Sequence, residues 1–194
     1  MGRLSARLIS CIILSVFSAG QALAAPLNDA QDAYASGNYA KAFELYTQLV
    51  KKGDDKVQLS LGVMYYIGQG VTQSYTNAAK LFERSAKQGN VLAQNILGEM
   101  YDEGLGVPQD YKTAAKWYRL AAEQGDPNGQ YNLGLMYVRE LGVPQDYIQG
   151  YMWMSLSGRF LEELEFVAKQ MTPSQIGKAQ ELSDQCALRQ FKKC

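Results

Sequence analysis

The feature that most constrains this chain of 194 residues is a repeat with a period of 36 residues. Residues 75–110 align with residues 111–146 without a gap and are identical at half of the positions. The recurring residues include Tyr39, Tyr75, Tyr111 and Tyr147; Gly53, Gly89 and Gly125; Gln58, Gln94 and Gln130; and Met64-Tyr65, Met100-Tyr101 and Met136-Tyr137. Such a period indicates stacked supersecondary units rather than one closed core.

The pattern within each repeat predicts two helices joined by a tight turn. Between residues 111 and 124 the apolar side chains fall on one helical face. Gly125 predicts a left-handed residue that closes this helix, Asp126 an N-cap, and Pro127 the first position of the next helix. The same turn is expected at residues 53–54 and 89–90, so the helical hairpin recurs along the chain.

Glycine also recurs inside a predicted helix, at Gly62, Gly98 and Gly134. A glycine there costs about 1 kcal/mol relative to alanine. Its recurrence predicts that a neighbouring helix approaches too closely for a side chain. In the loop that follows, the third repeat has Glu140 where the others have Gly68 and Gly104, which predicts backbone strain if this position needs a positive φ.

The repeated residues resemble the Sel1-like repeat, a relative of the tetratricopeptide repeat. The resemblance covers residues 39–157 and implies an all-α fold, a right-handed α-solenoid of helix-turn-helix repeats with helical caps. We place the repeats at 39–74, 75–110 and 111–146, with a partial one at 147–157. The motif is carried by Ala93-Gln94, Leu97-Gly98, Met100-Tyr101, Gly104-Leu105-Gly106-Val107, Asp110-Tyr111, Ala114-Ala115, Trp117-Tyr118, Ala121-Ala122 and Gly125.

Both ends depart from the repeat, as the caps of a solenoid do. Residues 25–52 predict an N-terminal helical cap that merges with the first repeat and turns at Gly37-Asn38. Residues 158–194 predict a C-terminal helical cap and tail, with helices at 159–170 and from Pro173 to about Phe191. Residues 168–182 also resemble the closing helix of bacterial family members, and Thr172 with Gln175 predicts a capping box.

The first 24 residues have the layout of a secretory signal peptide. Arg3 and Arg7 precede an apolar stretch that is too short to span a bilayer, and Ala22-Leu23-Ala24 fits the small-x-small cleavage rule. We expect cleavage after Ala24 and a periplasmic or secreted protein without an integral membrane segment after processing. An uncleaved membrane anchor is the alternative.

The cysteine pattern follows from this cleavage. Cys11 leaves with the signal peptide, and Cys186 and Cys194 remain. An even pair in an oxidising compartment predicts a disulfide bond that pins the tail to the last helix. Two free thiols in the tail are the alternative.

Composition argues against nucleic-acid binding and against most catalytic chemistry. Lys plus Arg equals Asp plus Glu, at 19 each, so the basic stripe that phosphate binding needs is lacking. The chain contains no histidine, which removes the commonest general base and metal ligand. Asp102-Glu103 and Glu162-Glu163-Glu165 are interpreted as helix-surface residues. We therefore predict no enzyme activity, no catalytic residues, no metal and no cofactor.

The aromatic and sulfur-containing residues at repeat positions are interpreted as core. Trp117 and Trp153 are 36 residues apart and align with Leu81, so the position requires a large apolar side chain. Met64, Met100 and Met136 follow the same period. A ligand cage of these residues is the alternative.

The family resemblance implies that one helix of each repeat lines a concave face that binds another protein or an extended peptide. Helical register then places twelve residues on this face: Lys56, Leu59, Val63, Tyr66, Leu92, Asn95, Glu99, Asp102, Asn128, Tyr131, Leu135 and Val138. The alternative is that flanking helices, such as 159–170, cover them.

We therefore expect an exported protein–protein interaction scaffold, or a regulator that holds a partner such as the periplasmic domain of a membrane sensor. A hydrolase acting on cell-wall or β-lactam substrates is the alternative. Family members described as β-lactamases have a cysteine pair in every repeat, and no repeat here contains cysteine.

Overall fold

A computed structural model describes residues 24–159, 161–192 and 194. These residues form helices and no strand, which confirms the all-α prediction. The predicted signal peptide lies outside the described residues except for Ala24. The helices are α1 Ala24–Ala35, α2 Tyr39–Leu49, α3 Asp55–Ile67, α4 Tyr75–Lys87, α5 Val91–Glu103, α6 Tyr111–Ala122, α7 Pro127–Arg139, α8 Tyr147–Ser157, α9 Leu161–Ala168 and α10 Pro173–Leu188, with a 3-10 turn at Val50–Lys52.

The described chain divides into two compact units. Unit 1 contains residues 24–90 and 105–107, and unit 2 contains residues 91–104 and 108–194. In unit 1, α1 packs on α2 and α3 on α4; in unit 2, α5 packs on α6 and α7 on α8. The two predicted C-terminal helices, α9 and α10, both pack on α8.

The predicted turn residues begin and end the helices. Asp126 caps α7 by accepting a hydrogen bond from the Gly129 amide at 2.7 Å, and Pro127 occupies the first turn. Gly125 has a φ of 84°. Thr172 and Gln175 form the predicted capping box of α10. These caps satisfy amide groups that have no partner within their own helix.

The helix pairs joined by the longer Gly-rich loops, α3–α4, α5–α6 and α7–α8, are called hairpins below; in each of them a bulky residue of the second helix packs against the glycine inside the first. A Cβ atom on Gly62 would lie 2.7 Å from the Phe82 ring, and one on Gly98 would lie 2.6 Å from the Tyr118 ring. A Cβ atom on Gly134 would lie 2.5 Å from Met154. The predicted close approach is confirmed.

A buried glutamine recurs near the start of the first helix of each hairpin and is held there by hydrogen bonds. The amide of Gln88 donates to the side-chain oxygen of Gln58 at 2.8 Å in unit 1. In unit 2, Gln124 donates to Gln94 at 2.7 Å, whereas Gln130 of α7 donates to the carbonyl of Ala122 in the preceding helix, α6, at 3.3 Å. The recurrence of glutamine therefore reflects hydrogen bonding of buried amides, which would be unfavourable without partners.

In each hairpin, another glutamine lies in the loop between the two helices and hydrogen-bonds to the end of the first helix. Gln73 donates to the carbonyl oxygen of Tyr66 at 2.8 Å. Gln109 and Gln145 make the same bond to Asp102 at 2.7 Å and to Val138 at 3.0 Å. Each amide also donates to the hydroxyl group of the tyrosine that begins the next helix.

Glu140, which replaces the loop glycine of the other repeats, has the positive φ that the sequence indicated. Glu140 ends α7 with a φ of 58°, while Gly68 and Gly104 at the equivalent positions have φ of 77° and 71°. The third loop therefore keeps the left-handed conformation of the other two, although a residue with a Cβ atom is strained there.

The core interpretation of the repeated large residues is confirmed in most cases. Met64, Met100 and Met136 are buried, as is Trp153. Trp117, at the equivalent position one repeat earlier, remains partly exposed. Within the described residues, no helix combines the length and apolarity that crossing a membrane requires.

The Gly98 contact generates a stability prediction. Replacing Gly98 by alanine places a methyl group against the Tyr118 ring, so we expect the free energy of unfolding to fall by about 1–3 kcal/mol. Urea unfolding followed by circular dichroism measures this loss.

Gly177→Ala is the matched control, because Gly177 lies in α10 with no atom near its added methyl group. This variant should gain about 0.4–1 kcal/mol by restricting the unfolded chain. Equal stability of the two variants would contradict the close-approach explanation.

Candidate protein-binding surface

The twelve residues expected to contact a partner lie on three helices, as their register required. Lys56, Leu59, Val63 and Tyr66 lie on α3 in unit 1. The other eight lie in unit 2: Leu92, Asn95, Glu99 and Asp102 on α5, and Asn128, Tyr131, Leu135 and Val138 on α7.

On α3, the accessible part of this surface is smaller than the sequence suggested. Leu59 and Val63 are 2% and 1% exposed, so they contribute packing rather than surface. Lys56 and Tyr66 keep partial exposure. The Tyr66 ring also meets Tyr75 edge-on with centroids 5.1 Å apart and contacts Phe82 at 6.3 Å. Tyr66 is therefore held in one orientation by aromatic neighbours within unit 1.

On α7, the C-terminal helices cover part of the expected surface. The side chains of Tyr131, Leu135 and Val138 pack against an apolar cluster. The cluster consists of Met154 of α8, Val167 of α9, Met171 between α9 and α10, and Ala179 of α10. Asn128 accepts a hydrogen bond from the guanidinium group of Arg159 at 2.7 Å. The alternative, in which flanking helices cover the expected surface, therefore applies to these residues of α7.

On α5, polar residues occupy positions that are apolar on α3. Asn95 is 4% exposed and donates to the Glu99 carboxylate at 2.9 Å. Its own side-chain oxygen accepts from Asn132 of α7 at 3.3 Å. This chain of hydrogen bonds joins α5 to α7 within unit 2, and it uses Asn132, a residue that the register argument did not include.

The carboxyl group of Glu99 lies in a strongly desolvated position, although the residue as a whole keeps some exposed surface. Burial raises the pKa of Glu99 to about 8, and the hydrogen bond from Asn95 offsets only part of this effect. The carboxylates of Glu103, Asp126 and Asp102 raise it further. Near neutral pH the Glu99 side chain is therefore mainly a neutral acid.

Asp102 lies one turn along α5 from Glu99 and is partly exposed. Burial and the charge of Glu103 raise its pKa, while Arg139 and a hydrogen bond from the Tyr118 hydroxyl lower it. The same burial, with the nearby acids, raises the pKa of Tyr118. Tyr118 therefore stays a neutral donor that orients the Asp102 carboxylate.

The described residues contain no group of three or more acidic, cysteine or histidine side chains arranged to hold a metal ion. The side chains that α5 and α7 bring together hydrogen-bond with one another. This arrangement can recognise polar and charged groups of a partner.

The chain resembles known repeat proteins in both sequence and fold. A family model described as Sel1 repeat matches residues 31–54, 56–90, 91–126 and 127–159. The chain is similar to the crystal structure of c5321, a protective antigen present in uropathogenic Escherichia coli strains that displays an SLR fold. The two share 30% sequence identity and a TM-score of 0.68, and the match covers 92% of this chain and 44% of that chain.

The chain is also similar to a Sel1 repeat protein from Oxalobacter formigenes, with 28% identity and a TM-score of 0.57 over 74% of this chain and 39% of that chain. It therefore spans less than half the length of either solved structure. No curated protein matches the chain.

The buried Glu99 generates a prediction about pH. Its pKa is about 8 in the folded protein against an ordinary value of 4.5, so the folded state binds a proton that the unfolded state loses first. The stabilisation that the protonated Glu99 provides is complete at pH values below the pKa of Glu99 in the unfolded chain. It is lost as the pH rises through about 8, the pKa of Glu99 in the folded protein. Urea midpoints measured from about pH 5 to about pH 9 should therefore fall, and Glu99→Gln should flatten this dependence.

Glu162→Gln is the matched control, because Glu162 is exposed on α9. It removes one carboxylate and should leave the slope of the wild type intact. A wild-type slope in the Glu99→Gln protein would show that another group titrates.

Proposed function

The chain belongs to the Sel1 repeat family, and from this premise we propose that it is an exported scaffold or regulator that binds another protein through residues of α3, α5 and α7. Sel1 repeat proteins are typically scaffolds for protein–protein interaction and generally lack enzyme activity. The predicted solenoid of helix-turn-helix repeats is the fold of the family. The partner and the surface used are our proposal.

The observation that carries the proposal is the contrast between constant and variable positions of the repeats. Residues that hold each hairpin together, such as the internal glycine and the Met-Tyr pair, are the same in all three repeats. The positions of the expected surface differ in every repeat, as Lys56, Leu92 and Asn128 do. Because the fold does not require one residue type there, these positions are available for recognition of a partner.

Within this surface, the partially exposed residues outside the C-terminal cover are the best candidates for direct contact. These are Lys56 and Tyr66 in unit 1, and Leu92 and Asp102 in unit 2. Unit 1 thus offers a cation and an aromatic ring, and unit 2 an aliphatic side chain and an acid, which are residue types that select a partner by shape and charge. The buried members, among them Leu59 and Asn95, would act by positioning these helices.

Export is supported by two independent features. The N-terminal residues have the layout of a signal peptide, and Cys186 and Cys194 form a disulfide bond with Cα atoms 5.3 Å apart. Disulfide bonds persist in oxidising compartments and are rare in the bacterial cytoplasm. The proposed site of action is therefore the periplasm or the exterior of the cell.

The binding proposal is tested by charge changes that leave the packing intact. Partners are first captured by crosslinking in intact cells and identified by mass spectrometry. Lys56→Glu and Asp102→Asn, measured by calorimetry on the purified partner, should each weaken binding about fivefold to a hundredfold, the loss expected for a contact worth about 1–3 kcal/mol. Asparagine at 102 still accepts the hydrogen bond from Tyr118, so the fold is preserved.

The controls are Lys80→Glu, on the exposed side of α4, and Asp184→Asn, on the exposed side of α10. Each makes the same change in charge away from the proposed surface. If all four variants bind the partner as the wild type does, the contact lies elsewhere on the chain.

The export proposal is tested by the mass of the protein recovered from cells. We expect a mature chain that begins at Ala25, released by osmotic shock, because the cleavage rule is met at Ala22-Leu23-Ala24. A chain beginning at Met1 and retained inside the shocked cells would contradict it, whatever the result of the binding measurements.

A further inference from the structure

The tail after α10 folds back on its own helix. The amide of Phe191 donates to the carbonyl of Cys186 at 2.9 Å, and the disulfide joins Cys186 to Cys194 across eight positions of sequence. The tail is therefore fastened at two points, by a backbone hydrogen bond near its start and by a covalent bond at its end.

The tail also contacts a distant part of unit 2. The Phe191 ring lies over Gly125, in the turn between α6 and α7, so closely that a Cβ atom on Gly125 would lie 3.0 Å from two ring carbons. Phe191 and Cys194 pack against the same buried cluster, which includes Trp153 and Cys186. The disulfide thus holds an aromatic side chain against a turn far from it in sequence.

The backbone of the tail adopts a conformation that its residue types disfavour. Gln190 and Phe191 have φ angles of 53° and 64°, a left-handed region that residues with a Cβ atom rarely occupy. Helices commonly end in this conformation with glycine. Two successive non-glycine residues in this region persist only where surrounding contacts enforce them.

The two cysteine residues of the disulfide differ in exposure. Cys186 is 3% exposed, whereas Cys194 is only half-buried. A small cavity of about 40 Å³ adjoins the bond and is lined by Met152, Leu182, Gln185, Cys186, Arg189 and Cys194. Thiol–disulfide exchange requires access of the attacking thiolate to one sulfur, and Cys194 is the more exposed of the two residues.

We propose that the Cys186–Cys194 disulfide is a reducible lock that holds Phe191 against the α6–α7 turn, and that a dithiol reductant releases it. One thiolate of the dithiol attacks the sulfur of Cys194, the bond to Cys186 breaks, and Cys186 leaves as a thiolate that takes up a proton. The second thiol of the reductant then attacks the mixed disulfide. Cys194 is released as a thiol and the reductant becomes a disulfide, so two electrons pass to the chain.

Opening the bond removes one of the constraints that hold Gln190 and Phe191 in their left-handed conformation. The tail then leaves the turn, and the cluster around Trp153 becomes accessible on that side. The effect is confined to unit 2, because the cluster and the turn both lie within it. The lock would thus couple the redox state of the compartment to the accessibility of this part of the molecule.

The test is hydrogen exchange measured by mass spectrometry on the purified full mature chain, oxidised and after reduction by dithiothreitol. Reduction should raise amide exchange in residues 123–129 about tenfold or more and leave residues 55–87 of unit 1 unchanged. The double variant Cys186→Ser/Cys194→Ser should match the reduced protein without any reductant present.

Two variants of the oxidised protein distinguish a disulfide that holds Phe191 against the turn from one that only links the tail to α10. Phe191→Ala should reproduce the faster exchange at residues 123–129 with the disulfide intact. Leu188→Ala, whose side chain is 85% exposed on the same segment, is the matched control and should change nothing there. Unchanged exchange in the reduced protein or in Phe191→Ala would overturn the proposal, as would an equal rise in exchange at residues 55–87.

Discussion

The structure depends on a close approach between the two helices of each hairpin, α3–α4, α5–α6 and α7–α8. The first helix has a glycine where the second presents Phe82, Tyr118 or Met154, and a single added carbon atom would overlap these side chains. Because helices must come this near before their apolar faces can interdigitate, the glycine sets the packing distance for the whole hairpin. The buried Met64, Met100 and Met136 and the paired glutamines on the same helices can then occupy constant positions.

Features that depend on local chemistry could be predicted from the sequence. The caps at Asp126 and Thr172 and the left-handed Gly125 each follow from the preference of one residue type for one backbone conformation. The period of 36 residues turned these local signals into a fold, because the same signals return at the same spacing. Glu140 is instructive, since the repeat predicted a left-handed residue at a position where the residue type alone would not.

Features that depend on neighbouring helices were harder to predict. Helical register placed Leu59 and Asn95 on the expected surface, yet both are buried, because register fixes the direction of a side chain and not what lies beside it. The desolvated Glu99 was included as a contact residue, although it accepts a hydrogen bond from Asn95, which in turn accepts one from Asn132 of another helix. The sequence did indicate that this position is unusual, because Glu99 on α5 stands at the repeat position that the apolar Val63 occupies on α3.

The contact of Phe191 with Gly125 had no signal in the sequence. The even pair of cysteines predicted a bond within the tail, but the bond alone does not indicate which part of the repeats the tail touches. Such contacts join segments distant along the chain, and only the assembled helices bring them together. Sequence patterns therefore predict the packing inside each hairpin better than they predict where the C-terminal segments of the chain pack on the repeats.

The fastening of each loop by a glutamine has a consequence for how proteins of this kind change in length. Gln73, Gln109 and Gln145 each bind a carbonyl oxygen and a tyrosine hydroxyl that lie within ten residues of them in sequence. A segment of one period therefore carries its own loop restraints, and an in-frame duplication or deletion of it leaves every remaining loop complete. Selection can lengthen or shorten such a protein by whole repeats, while residues at the two ends must be kept to close the stack.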